Sequence, residues 1–395
     1  MSAAFLARLF PNPPSKPLAT LFLLVFAKAV GNGMVWAVIA LYGQSLGASA
    51  AMIGMMISVY GGARLIVNVP AGYASEKFGR KAMMSFGCGV MAAGSLFAAF
   101  ATNVPWFFFC LMAMGCASAV FMTSALAAIA DLGTPGRRMQ DASLYQAANM
   151  IGASMGPALG GIAAGLWGYG SPYLVNAGFA LFGMAAFALM PWPEATGKRA
   201  AKTQKGELKA VARQSIGLGL MYFSIFYVRV ASNWVLLPLI ATTQFGMDLT
   251  TIGLILTCGA VANLSVISIT GTMVRLVGRV WVIIIASCLT IAGCSLLAFG
   301  HHPSLLWLSS ILFGATSGLA APTLIAYVAD VAPEGQRGPA MGLLRTMQDL
   351  SLILGPMFTG VLSDNLGLGY QGGLFGCLVL LSIATIVFRI SASRP

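Results

Sequence analysis

Charged residues are scarce in this sequence, and their scarcity excludes several classes of protein. Only 8% of the 395 residues are charged, whereas a soluble domain carries about 25%. The apolar share is 58%, which would leave too little polar surface to cover a water-soluble fold. A soluble enzyme, a secreted disulfide scaffold and a disordered chain are therefore excluded, and the chain is predicted to lie in a membrane.

The sequence also lacks the patterns that hold metals and nucleotides. Its seven cysteines form no CxxC motif and no Cys/His ligand set, so neither a disulfide framework nor a zinc site is indicated. No phosphate-binding loop of the Walker A type occurs, so ATP hydrolysis is not the expected source of energy. We expect no cofactor, no metal and no enzymatic reaction.

Long apolar stretches are what the sequence has in abundance. A membrane-spanning helix needs roughly 20 apolar residues, and twelve stretches reach that length. The predicted fold is an all-α integral membrane protein with twelve transmembrane helices. The predicted spans are 18–43, 51–72, 82–103, 105–130, 141–165, 171–191, 214–241, 249–271, 280–300, 304–330, 339–363 and 370–390.

The basic residues indicate how the chain is oriented. The net charge is +12, which in a soluble protein would suggest nucleic acid. Here Lys and Arg lie on alternate connections between spans, among them 77–81, 137–138 and 198–213. Basic loops stay in the cytoplasm, so we expect a multi-pass protein of the cytoplasmic (inner) membrane with both termini cytoplasmic. The partner that the charge indicates is the lipid bilayer, not nucleic acid.

An internal repeat divides the chain into two halves. Residues 193–213 form the one long polar stretch, and an offset of 199 residues aligns what lies on either side. It pairs Arg80 with Arg279, Asp131 with Asp330, and Gly156-Pro157 with Gly355-Pro356. We predict a six-helix half at 1–192, a cytoplasmic linker at 193–213 and a second half at 214–395. Such repeats are typical of secondary transporters, whose halves rock around a site near the midplane.

The loop after the second span carries a recognisable motif. It reads Gly72-Tyr-Ala-Ser-Glu76-Lys-Phe-Gly79-Arg80-Lys and resembles the signature loop of the major facilitator superfamily, with Glu76 where that family usually has Asp. The resemblance implies a conformational latch between this loop and Asp131 in the outward-facing state. The second half has Arg275 at the position of Glu76, so only one half carries the full motif.

Span five carries a second motif, Gly152-x-x-x-Gly156-Pro157-x-x-Gly160-Gly161. It resembles the antiporter motif of the family's twelve-helix drug:proton antiporter branch, and that resemblance implies export. The spacing of Gly152, Gly156 and Gly160 forms one small-residue stripe that lets another backbone approach, and Pro157 bends the helix. We expect this seam to open and close during transport.

One position departs from the antiporter branch. Span four of that branch usually carries an arginine four residues before the glycine that corresponds to Gly115, and here that residue is Leu111. Proton coupling through that arginine therefore does not carry over. The resemblance also implies that the protein is a monomer.

Ionisable residues inside the spans are candidates for function because they are costly in a bilayer. Lys28, Arg64, Arg229 and Asp349 lie deep in their spans, and Arg345 lies closer to the interface. One interpretation is that Asp349 neutralises one cation while the others meet helix ends and water. The other is that Lys28, Arg64 and Arg229 form a positive cavity for an anionic small-molecule substrate.

Helical spacing groups these charges with other polar and aromatic residues in spans one, five, seven and eleven. We expect these neighbours to bind substrate together with the deep cations. They are Asn32, Trp36, Gln146, Asn149, Tyr222, Phe226, Asn233 and Gln348.

Proton coupling needs a group that titrates, which Arg hardly does. Asp349 and Lys28 are the deep candidates. The sequence therefore predicts a secondary transporter, proton-coupled, that exports small organic or amphipathic molecules. Two alternatives remain open: a facilitated or exchange carrier of organic anions without proton coupling, and a transporter-like sensor or lipid-moving protein.

Overall fold

The computed structural model describes residues 16–132, 138–190, 205–331, 337–365 and 369–392. Within these ranges the chain forms twelve helices and no strand. They are α1, Lys16–Ser45; α2, Ala50–Phe78; α3, Arg80–Ala99; α4, Val104–Leu132; α5, Arg138–Trp167; α6, Ser171–Leu189; α7, Lys205–Arg229 continued through Val230–Leu236 and Leu237–Thr243; α8, Leu249–Val277; α9, Arg279–Phe299; α10, Ser304–Val331; α11, Arg337–Asn365; and α12, Tyr370–Ala392.

The twelve predicted spans are confirmed as helices, and eleven are long and apolar enough to cross a bilayer. The exception is α11, which is long enough but contains Arg345 in its first third and Asp349 near its middle. These are two of the charges that the sequence analysis singled out, and they make α11 more polar than most of the other helices.

Helix α7 changes its hydrogen-bonding pattern halfway along. Residues Val230–Leu236 form a π-helical turn, in which the amide of Leu237 donates to the carbonyl oxygen of Ser232. Pro238 follows and offers no amide hydrogen, so the ordinary α-helical pattern is interrupted there. Such turns often mark functional sites. The predicted linker lies partly outside the described residues, and its last part, 205–213, begins α7.

The helices pack as two six-helix halves, α1–α6 and α7–α12. Within the first half α1 packs along α5 and α3 along α4, and within the second half α8 packs along α10. The halves meet mainly where α2 contacts α11 and where α5 contacts α8. We call the end of the bundle near Lys77 and Arg80 the basic end, and the end near Ser45 and Ala50 the distal end.

Candidate functional site

Glycines bring α5 and α8 together near the distal end. A Cβ added to Gly253 of α8 would lie 2.5 Å from the carbonyl oxygen of Pro157 in α5, and one added to Gly161 would lie 2.8 Å from the Cα of Gly253. Only glycine allows backbones to approach so closely. We call this contact the α5/α8 seam.

The second contact between the halves repeats this arrangement. Gly54 of α2 lies against Pro356 of α11, and a Cβ on Gly360 would lie 2.9 Å from the Cα of Ala51. Gly54, Pro356 and Gly360 are the residues that the offset of 199 pairs with Gly253, Pro157 and Gly161. Ser58 adds a hydrogen bond from its hydroxyl to the carbonyl oxygen of Ile353. We call this contact the α2/α11 seam. Together with the α5/α8 seam it closes the distal end.

The glycine stripe predicted in span five faces α1. It does not face α8, the helix with which α5 forms the seam. Gly152, Gly156 and Gly160 lie against Phe26, Gly33 and Met34 of α1, within the first half. The structure thus places this stripe at a contact within the first half, and its opening and closing during transport stays a prediction. A stripe at spacings of four faces one neighbour, and the contact across the halves is made by Gly161, about 100° further round the helix.

One buried ion pair joins the halves at the α2/α11 seam. A guanidinium nitrogen of Arg64 lies 2.9 Å from a carboxylate oxygen of Asp349, and the Nδ2 of Asn68 donates to the other oxygen at 3.3 Å. The Arg64 side chain is 17% exposed and that of Asp349 only 3%. Asp349 thus neutralises Arg64, as the first interpretation of the deep charges held.

An aromatic cluster, defined as Trp36, Tyr60, Phe226 and Trp234, lies across the two halves. Trp36 of α1 stacks on Trp234 of α7 with ring centroids 4.7 Å apart, and Tyr60 of α2 meets Trp36 edge-on at 5.0 Å. The guanidinium carbon of Arg229 lies 5.8 Å from the ring centroids of both Phe226 and Trp234. Cations are attracted to ring faces at such distances.

Two more groups extend this cluster along α7. The ring of Tyr222 lies 4.7 Å from that of Phe226. Asn233 is half-buried, and its side-chain oxygen has no hydrogen-bond partner within the described part of the chain. A buried polar atom without a partner is destabilising, so this oxygen is available to a ligand.

The three deep cations have different immediate neighbours. Lys28 lies inside the first half, in a small pocket that Leu24, Cys88 and Phe179 help to line, with its Nζ 4.9 Å from the ring centroid of Phe121. Arg64 is occupied by Asp349. The cation in contact with the rings of the aromatic cluster is Arg229. A guanidinium nitrogen of Arg345 lies 3.0 Å from the sulfur of Met122.

The other residues predicted to bind substrate differ in their exposure. Gln146 is exposed, whereas Asn32, Asn149 and Gln348 are half-buried. Among the described residues, no group of three or more His, Cys, Asp and Glu side chains could hold a metal ion.

The signature loop is held within the first half. The Nε of Arg80 lies 3.0 Å from a carboxylate oxygen of Asp131, and the offset-related pair, Arg279 and Asp330, is also in contact. Gly79 turns the chain between α2 and α3 with a φ of +90°, which glycine adopts at no steric cost. Gly72 is half-buried and Glu76 is exposed.

Three residues of the site were not identified from the sequence. Tyr60 and Asn68 lie one turn before and one turn after Arg64 on the same face of α2, so a stripe at spacings of four was visible in the sequence. Trp234 carries no such signal. Its contact with Trp36 depends on how α1 and α7 cross.

Comparisons with known proteins agree with this architecture. The chain is 24% identical over 350 residues to multidrug resistance protein 1 of Bacillus subtilis, a match that covers 88% of this chain and 90% of the relative. It is 23% identical over 368 residues to an uncharacterized MFS-type transporter of Methanocaldococcus jannaschii, covering 89% and 92%. The crystal structure of the nucleoside transporter NupG superposes with a TM-score of 0.80 at 14% identity, covering 96% of this chain and all of that one, which shows the fold alone.

The family assignment depends on both halves. The model of the Major Facilitator Superfamily matches residues 21–229 and again residues 215–395, so each half matches it separately. The repeat, the signature loop and the twelve-helix fold lead to the same assignment. The chain is a multi-pass membrane transporter, not an enzyme, and it belongs to the Major Facilitator Superfamily.

Proposed function

We propose that this protein is a proton-coupled exporter of amphipathic organic molecules, with a preference for those that carry negative charge beside an aromatic or apolar body. The observation that carries the proposal is the buried Arg64–Asp349 pair, which joins the halves in a molecule whose aromatic cluster also spans them. A titratable carboxylate and a binding surface thus belong to the same interface, as coupling by alternating access requires.

The chemistry around the aromatic cluster supports an anionic substrate. Arg229 and Arg345 have no carboxylate within ion-pair distance among the described residues, whereas Arg64 has one. A guanidinium is well suited to bind a carboxylate or phosphate through two hydrogen bonds, and the neighbouring ring faces accept an apolar or aromatic body. The substrate would replace the water that otherwise solvates these cations.

Proton coupling would work through Asp349. Protonation removes the negative charge that holds Arg64, and it weakens the one buried ion pair described between α2 and α11. Since the pair spans the two halves, its loss favours their separation. Lys28 lies in the first half rather than at this seam, so we assign it a secondary role as a proton-carrying group.

The direction and setting of transport are part of the same proposal. A relative named a multidrug resistance protein matches nearly the full chain, which supports export of varied molecules from the cell. The basic end is cytoplasmic by the distribution of Lys and Arg, in the cell membrane and with both termini inside. We infer a monomer whose first half ends at residue 192 and whose second half begins at residue 214.

Thermal stability with candidate ligands tests the substrate class. Purified protein is heated in detergent with organic anions, cations and neutral drugs, because a ligand of the folded state stabilises it by about 2.7 kcal/mol at 100 times its Kd. We expect stabilisation by amphipathic anions in the wild type and none in Arg229→Ala. The matched control is Arg389→Ala, which removes an arginine 5.3 Å from the ring of Trp281 and should leave the ligand effect unchanged. Stabilisation by cations alone would overturn the anionic preference.

Substitution of Asp349 tests the coupling. Asp349→Asn keeps a hydrogen-bond acceptor for Arg64 but has no titratable proton. In proteoliposomes we expect this variant to lose transport driven by a pH gradient and to retain exchange of substrate for substrate. Normal pH-driven transport by the variant would refute the coupling role.

A second candidate is an exchange carrier of organic anions without proton coupling. The observation that favours it is Leu111, fully buried in α4 where the drug:proton antiporters usually carry an arginine. The same proteoliposome assay separates the two functions. An exchange carrier would show no response to a pH gradient even in the wild type.

A further inference from the structure

We propose that Asp364 acts as a gate residue that helps to hold the distal end closed, acting from the end of α11 on the first turn of α2. The carboxylate of Asp364 accepts a hydrogen bond from the backbone amide of Ala51 at 2.9 Å. This bond joins the second half to the first half. Its role as a gate rests on the proposed alternating access, since only a transporter that opens at the distal end needs to break it.

The internal repeat shows that this contact is specific to one seam. The offset of 199 pairs Ser49 with Asp248 and Ala51 with Thr250. In α8 the first turn is capped by its own N-cap residue, because Asp248 accepts from the amides of Thr250 and Thr251 at 3.1 and 3.2 Å. The acid that caps α8 therefore comes from the same half.

In α2 the arrangement is reversed. Its N-cap Ser49 accepts one bond, from the amide of Met52 at 3.4 Å, a length at which a hydrogen bond is weak. The acid comes instead from α11 of the opposite half, as Asp364. The counterpart of Asp364 at the α5/α8 seam is Gly165, which has no side chain to offer. The first turn of α2 thus depends on the other half for its negative charge.

The hydrogen bond between Asp364 and the amide of Ala51 lies in surroundings that allow it to break during transport. Asp364 is exposed and lines a cavity of about 290 Å³ to which both halves contribute, with Gln44, Ser49, Leu239 and Tyr370 among its lining residues. Among the described residues that line it, Asp364 is the one charged side chain. Because the Asp364 side chain is exposed, water can solvate its carboxylate when the halves separate.

The strength of the contact follows from its chemistry. A carboxylate at a helix N-terminus accepts a charge-assisted hydrogen bond and interacts favourably with the helix dipole. In a solvated cavity the net effect is modest. It adds to the glycine contacts below it, at Gly54 and Gly360, and it biases the distal end towards the closed state without locking it.

The test measures whether the distal seam opens. A cysteine is introduced at Ser58, which lies in the α2/α11 seam deeper than Asp364, and intact cells are treated with a membrane-impermeant maleimide. Wild-type protein without this cysteine gives the background from the native thiols. We expect Asp364→Ala to raise the labelling rate of the introduced cysteine about fivefold, and Asp364→Asn to raise it less, because the amide oxygen still accepts a hydrogen bond.

A second variant separates gating from simple stabilisation. Ser49→Asp gives α2 its own acidic cap, as Asp248 does for α8, and places a second carboxylate beside Asp364. We expect Ser49→Asp to keep or raise thermal stability in the Asp364→Ala background, and to raise the labelling rate when Asp364 is present. The matched control is Asp248→Ala, which removes a cap within one half and should leave labelling unchanged.

The outcomes decide the proposal independently of transport. Unchanged labelling in both Asp364→Ala and Ser49→Asp would overturn it, and so would an equal rise in Asp248→Ala. Labelling needs neither substrate nor a proton gradient. If labelling rises as expected but no pH-driven efflux is observed, the proposed proton coupling is refuted and the proposed role of Asp364 is supported. If Asp349→Asn behaves as expected in transport but labelling is unchanged in Asp364→Ala and Ser49→Asp, only the proposed role of Asp364 is refuted.

Discussion

The two seams between the halves have the same backbone packing and different side-chain chemistry. In both, a glycine of one helix lies against a proline of the partner helix, Gly253 on Pro157 and Gly54 on Pro356. The α2/α11 seam adds the Arg64–Asp349 pair. The residues at the corresponding positions of the α5/α8 seam are Asn263 and Met150.

The comparison shows that the internal repeat preserves the backbone packing of the seams, whereas their side-chain chemistry differs. Close approach of two helices needs glycine at fixed positions, so both seams keep the same pattern. A buried charge needs a compensating partner, and in our proposal the Arg64–Asp349 pair alone couples the two halves to a proton. We interpret the α5/α8 seam as a hinge about which the halves rotate. The α2/α11 seam is then the contact that the Arg64–Asp349 ion pair and Asp364 control.

The largest expected effect comes from breaking the ion pair. Arg64→Ala leaves Asp349 buried without its partner, and removing one member of a buried pair is destabilising by about 3–5 kcal/mol. At the other seam, Asn263→Ala should cost about 1 kcal/mol or less, because its side-chain oxygen has no hydrogen-bond partner within the described residues.

Denaturation of both variants in detergent measures this contrast. Adding Asp349→Asn to Arg64→Ala should restore part of the lost stability, since the uncompensated charge is then gone. Equal losses in Arg64→Ala and Asn263→Ala would mean that the ion pair does not distinguish the seams.

A smaller effect, equal at both seams, is expected from filling the glycine contacts. Gly253→Val and Gly54→Val each place a side chain against backbone, and overpacking of this kind costs about 1–3 kcal/mol. Both variants should also lose transport, because the distal end no longer closes. Gly271→Val is the control on α8, where a Cβ meets nothing within 4 Å among the described residues. A severe loss at one seam and none at the other would contradict the common packing.

The smallest effect concerns the helix caps. Hydrogen bonds from the hydroxyl of Thr251 and from the backbone amides of Thr250 and Thr251 lower the pKa of Asp248. A carboxyl whose pKa is lower in the folded state stabilises the fold above its ordinary pKa of about 3.9, and that contribution is lost as the pH falls through the lowered value.

Thermal scans between pH 3 and pH 7 check this prediction. Asp248→Ala should lower stability by about 1 kcal/mol at pH 7 and by less at pH 3. Ser49→Ala should have a smaller effect than Asp248→Ala and no acid dependence of its own, because a hydroxyl does not titrate in this range. An equal, pH-independent loss in both variants would show that the two caps do not differ as the geometry indicates.

Much of the fold could be predicted from the sequence because hydropathy and the repeat are local or periodic signals. The site could be predicted only in part. Helical spacing identified Arg64, Arg229 and Asp349 as deep charges. It did not show that Lys28 faces the interior of the first half, since that depends on how α1 is rotated against α3, α4 and α6. Asp364 gave no signal, because its partner is a backbone amide 313 positions away.

The polar character of α11 has a consequence for how the protein is made. An Asp at the centre of a helix costs about 2.5–3.5 kcal/mol during insertion into the bilayer, and α11 carries Asp349 near its centre. By the time the ribosome has synthesised α11, α2 is already in the bilayer and offers Arg64 as a partner. We therefore predict that the second half, expressed alone, inserts α11 poorly, and that co-expression of the first half rescues its insertion.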